Sequence, residues 1–100
     1  MKTTITEKDG KVVLAVEGEL DTDTCSGFRE DIEPLMASSP KAVEVDMKEL
    51  AYISSKALRI LVSLQQAVVA KSGTFKVTNV QPAVREVFDM TGLSASMIQD

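Results

Sequence analysis

Residues 42–73 read AVEVDMKELAYISSKALRILVSLQQAVVAKSG, and within them the hydrophobic period changes from two to nearly four. Ala42-Val43-Glu44-Val45-Asp46 alternates as a half-buried strand does, with Pro40 before it and a polar loop after it. Ala51-Tyr52-Ile53 then leads apolar chain into Ser54-Ser55. Beyond the serines, Leu58, Leu61, Val62, Gln65, Val68 and Val69 recur at helical spacing, and Ser72-Gly73 is a stop signal. The expected helix runs from Ser55 to Lys71, a length of roughly 25 Å.

Upstream of this unit, Thr3 to Glu7 alternates around Ile5, Asp9-Gly10 offers a hairpin turn, and Lys11 to Glu17 alternates around Val12, Leu14 and Val16. Gly18-Glu19-Leu20-Asp21 reads as an acidic loop. Cys25, Phe28, Ile32 and Leu35 then mark an amphipathic helix, with Thr22, Asp23 or Thr24 as its N-cap and Pro34 expected to kink or end it after Glu33. Downstream, Phe75 to Val80 reads as a strand with Phe75 and Val77 on one face. Pro82 suits the first turn of a helix carrying Val84, Val87 and Phe88, closed by Gly92, and a last helical turn is expected in the tail. The order is β-β-α-β-α-β-α. Strands joined by crossover helices run parallel, while the opening hairpin is antiparallel. The expected fold class is therefore α/β, a four- to five-stranded mixed β-sheet with helices packed against it. Its core is expected from Val, Leu and Ile rather than aromatics, with Leu14, Val16, Val43, Val45, Leu61, Val77, Val84 and Phe88 buried.

One hundred residues are the size of one domain, expected to cover 1–100. Fifteen acidic residues against eleven basic ones leave a formal charge of −4, which repels phosphate backbones, and no Lys/Arg cluster in the sequence overrides it. Direct nucleic-acid binding is not expected. Histidine is absent, which removes Ser-His and Cys-His catalysis and every histidine metal site. A single Cys permits no internal disulfide, and no signal peptide or membrane-spanning run is visible, so a cytoplasmic protein without membrane insertion is expected.

Among groups that could carry chemistry, Ser54 and Ser55 come first. Ser54 is expected to cap the helix. Ser55, in the first turn, could be a nucleophile only with a base, and the nearest candidate is Lys56. Adjacent helical residues diverge by about 100°, so Lys56 is poorly aimed at Ser55. No enzyme activity is expected. Glu17, Glu19, Asp21 and Asp23 lack the spacing of a calcium loop and are read as a solvated turn and helix-start acids. No metal and no cofactor are expected. Cys25 lies on an apolar stripe and is read as a core residue, while Met36, Met47, Met90 and Met97 form no single stripe.

Several stretches in order look like a known family. They are Gly18-Glu19-Leu20-Asp21, Val43-Glu44-Val45-Asp46, Tyr52-Ile53-Ser54-Ser55-Lys56-Ala57-Leu58, Gly73 before a strand, Asn79-Val80-Gln81-Pro82, and Val87-Phe88-Asp89-Met90-Thr91-Gly92-Leu93. From about Val12 to Met97 the chain resembles the STAS domain, the fold of bacterial anti-sigma factor antagonists. The resemblance implies a protein-binding regulator that engages a serine-kinase anti-sigma factor and so frees a sigma factor. It also implies that the kinase reverses this by phosphorylating a serine at the start of the helix, here Ser55. The family's motif there reads Asp-Ser-Ser/Thr-Gly-Leu. Ser55 and Leu58 match it, whereas Ser54, Lys56 and Ala57 replace the acid, the second hydroxyl and the glycine. Ser54 and Lys56 make the motif two charges more positive, and the Ala57 methyl fills space a glycine leaves open. The expected partner surface comprises Glu19, Asp21, Ser54, Ser55, Lys56, Ala57 and Arg59 at one end of the sheet, on a monomer or weak dimer. Within the same fold, rival readings are an accessory subunit of a lipid ABC transporter and a small-ligand or nucleotide sensor.

Overall fold

The computed structural model describes residues 1–38 and 40–98. Strand β1 (Lys2–Lys8) turns through Asp9 and Gly10, with φ of 54° and 81°, into β2 (Lys11–Leu20), which it pairs antiparallel. Such a left-handed pair is what a two-residue turn needs to match the twist of its strands. Helix α1 (Cys25–Ala37) crosses to β3 (Ala42–Asp46), β4 (Leu50–Ile53) leads into α2 (Ser55–Ala70), and β5 (Thr74–Thr78) is followed by α3 (Pro82–Thr91) and α4 (Ser94–Met97). The main sheet has the order β1-β2-β3-β5, and β3 runs parallel to both β2 and β5.

Period two sorts the sheet into two faces. Val12, Leu14, Val16, Val43, Val45, Phe75 and Val77 are buried, and α1 and α2 pack against each other over the same core with Phe28, Ile32, Leu61 and Leu64. Their alternate neighbours, such as Val13, Glu44 and Lys76, stay exposed or half-buried on the other face. All eight expected core residues are buried. The core is mostly aliphatic, but Phe28 and Phe88 are fully buried and Phe75 nearly so, which corrects the expectation that aromatics contribute little. A two-layer domain has few deep positions, and a ring fills one with fewer chains than aliphatics do.

Four local expectations are also corrected. Gly18, Glu19 and Leu20 are not loop: β2 runs on to Leu20, because β4, absent from the expected order, pairs parallel with its far end. The register slips between Gly18 and Glu19, where Gly18 has φ 92°, a conformation that costs a side-chain-bearing residue energy. Pro34 does not end α1, which continues to Ala37. Pro34 removes a single donor, the one that would face the Glu30 carbonyl, and both residues are solvent-exposed while buried Leu35 extends the apolar stripe. Finally, none of Thr22, Asp23 and Thr24 caps α1 with its side chain. Thr24 occupies the cap position, and Asp21 supplies the accepting carboxylate one turn earlier. The last strand also stops at Thr78, short of Val80, and Asn79 turns the chain at φ 56°.

Candidate functional site

The site is built where β4 hands over to α2. The Ser54 amide donates to the Leu20 carbonyl at 2.7 Å, which ties the start of α2 to the end of β2. The Ser54 Oγ accepts from the Ala57 amide at 3.1 Å, the expected cap, and its carbonyl accepts from the Leu58 amide at 3.0 Å. Ser54 is the one buried polar side chain among the described residues. With that hydroxyl committed to the backbone, Ser55 is left as the first helical residue. It is exposed, and its own hydroxyl has no hydrogen-bond partner among the described residues. First-turn amides have no carbonyl behind them, so this helix end is electropositive, and its first turn contains no acidic residue to offset it.

The end of β2 lies alongside. Glu19 is in register with Tyr52, and both are exposed, Tyr52 by 46%. Asp21, half-buried, folds the following turn. Its Oδ1 accepts from the amides of Asp23 and Thr24, each at 2.9 Å, while the Thr24 hydroxyl accepts from the Asp21 amide at 3.0 Å and donates to the Glu19 carbonyl at 2.9 Å. Donation from the Thr24 amide, more than from any other group, holds the Asp21 carboxyl below its ordinary value of 3.8; the Thr24 hydroxyl and the Asp23 amide act in the same direction against partial desolvation. No three His, Cys, Asp or Glu side chains among the described residues form a group that could hold a metal ion. None of the helices among them is long and apolar enough to cross a membrane.

The residues expected at the partner surface therefore divide. Glu19, Ser55, Lys56 and Arg59 are exposed, while Ser54 and Ala57 point inward. Ala57 is fully buried, so its methyl belongs to the core and cannot itself touch a partner. Lys56 and Arg59 line a groove of about 410 Å³ between α1 and α2, together with Ser26, Arg29 and Ser63. Arg29 and the two serines were not singled out from the sequence. The only signal on α2 is the spacing Lys56, Arg59, Ser63 along one helical face, and nothing local joins it to α1.

Comparison with known proteins agrees with this geometry. A family model described as "Mlab, STAS domain" matches residues 3–99. The anti-sigma-B factor antagonist of Bacillus subtilis is 25% identical over 89 residues, covering 89% of this chain and 81% of that protein. The crystal structure of an anti-sigma factor antagonist from Mycobacterium paratuberculosis superposes with a TM-score of 0.86 at 28% identity, covering 97% of this chain and 83% of that one. The Bacillus antagonist SpoIIAA, at 20% identity, shares the fold in both its unphosphorylated and its phosphorylated form, with TM-scores of 0.84 and 0.77; each covers 99% of this chain, and the chain covers 89% and 90% of theirs. With residues 3–99 matched and the mixed sheet and helices in place, the chain belongs to the STAS-domain family.

Proposed function

We propose that this chain is an anti-sigma factor antagonist, a single module over its 100 residues, that docks on a serine-kinase anti-sigma factor at the start of α2 and is released when Ser55 is phosphorylated. The observation that carries the reading is the division of labour between adjacent serines. Ser54 is buried as the cap, and Ser55 is exposed with an unengaged hydroxyl. A kinase can reach Ser55 without unfolding the helix. The relatives named as anti-sigma factor antagonists support the class of partner. The role is docking and not turnover, since the amine nearest in sequence to Ser55, that of Lys56, diverges from it by about 100° around the helix. Exposed Glu19, Lys56 and Arg59 complete the contact surface, Asp21 shapes it, and the molecule works in the cytoplasm as a monomer or weak dimer.

A phosphate on Ser55 adds about −1.5 to −2 charge and three acceptor oxygens. It meets free first-turn amides and the positive end of the helix, with Lys56 adjacent, so the fold is kept or slightly stabilised. Loss of binding then comes from the interface, where a hydrated anion blocks close docking. Ser55→Glu should leave the melting temperature unchanged and weaken the kinase complex tenfold or more, about 1.4 kcal/mol. Equal affinity in a titration calorimeter, with no phosphoserine at position 55 in cells, would refute the switch. Co-purification with a transporter ATPase, or tight nucleotide binding by the isolated chain, would instead favour the accessory-subunit or sensor reading.

A further inference from the structure

We infer that the groove between α1 and α2, which shares Lys56 and Arg59 with the docking surface proposed at the start of α2, is built to receive a carboxylate-rich segment of a protein partner. This goes beyond the switch at Ser55 and rests only on the reading of the chain as a docking module. The chain carries a formal charge of −4, yet three of its eleven cationic side chains, Arg29, Lys56 and Arg59, line this one groove, and no Asp or Glu among the described residues lines it. Lys56 and Arg59 have no carboxylate within ion-pair distance among the described residues. Among the described residues Arg29 has only Glu33, one turn on at 3.9 Å with both side chains 62% exposed, a contact loose enough to be exchanged.

The layout selects among anions. Lys56, Arg59 and Ser63 succeed one another along about 10 Å of α2, and Ser26 and Arg29 face them from α1. Charges strung along a seam suit several carboxylates on one chain better than a single compact anion, which needs donors converging on one point. The hydroxyls of Ser26 and Ser63 and the nearly buried Ile60 add polar and apolar contact along the same seam. A nucleic acid or an anionic membrane presents far more charge than three cations can offset, and the acidic remainder of the chain repels it.

The test is a titration of the isotopically labelled full chain with an oligoglutamate peptide at low salt, followed by amide shifts. Shifts should concentrate at Ser26, Arg29, Lys56, Arg59 and Ser63 and fade as salt is raised. Lys56→Glu with Arg59→Glu should weaken binding tenfold or more with an unchanged melting curve, whereas the distant Lys41→Glu should bind as wild type. Shifts spread equally over Lys2, Lys8, Lys11 and Lys41, undiminished binding by the double variant, or full displacement of the peptide by equimolar inorganic phosphate would each overturn the proposal. Because no kinase is present in this titration, its failure leaves the Ser55 switch standing, and failure of Ser55→Glu against the kinase leaves the groove standing.

Discussion

Ser54 and Ser55 show how two adjacent hydroxyls can be divided between the core and the solvent. A hydroxyl at the cap position is drawn inward by the third amide of the helix, and the next one faces solvent because the helix turns it about 100° away. Both assignments are local, which is why the pair could be read from sequence. Asp21 is the opposite case, since its acceptor role depends on a turn that places two amides over one oxygen. Its folded pKa lies below 3.8, so its contribution to stability is complete above that pH and disappears as pH falls through the folded value. Thermal melts of wild type and Asp21→Asn should therefore differ most at neutral pH and converge below pH 3.8. A difference that stays constant across that range would mean the carboxylate charge is not what the turn uses.

At the scale of elements, helices with strong periodicity were legible, and the exceptions have physical causes. Pro34 carries a local rule that predicts an end at Glu33, but the burial of Leu35 continues α1 through it. Pro34→Ala should then stabilise the protein. An interior proline costs about 3 kcal/mol, and loosening the unfolded chain returns roughly 1, leaving a gain of up to about 2 kcal/mol in urea denaturation. A loss of stability would show that the ring packs usefully. Strand β4 is not legible in the sequence because Leu50–Ile53 is four residues long and half exposed, and its existence depends on the far end of β2 being free to pair. The α1–α2 groove is hidden from the sequence for a related reason. Arg29 and Lys56 are far apart in sequence, and only the packing of two helices makes them neighbours.

For the molecule as a whole, a sheet covered on one face concentrates its sensitivity on the covered side. Val45 and Glu44 are adjacent in β3 but belong to different environments. Val45 is fully buried, whereas Glu44 pairs with Lys76 at 3.3 Å on the open face. Val45→Asp should destabilise by several kcal/mol, because an unpaired charge enters an apolar site, and Lys76→Gln should cost about 0–1 kcal/mol. Chemical denaturation of the two variants separates the faces, and a mild effect at Val45 would contradict the two-layer arrangement.

The position of β2 has a kinetic consequence. It is the strand that β1, β3 and β4 all join, and its hairpin with β1 closes through a two-residue turn. The other strands can reach it only after longer excursions of chain, which close more slowly. The hairpin should therefore be the first part of the sheet to assemble, and the central residues of β2, flanked on both sides, the last to open. In native-state hydrogen–deuterium exchange, amides from Val12 to Val16 should be released only with global unfolding, while those of β4 exchange earlier through a smaller, local opening. The start of α2 is anchored through Leu20 and Ser54, so that local opening would also loosen the proposed docking end while the rest of the sheet stays closed.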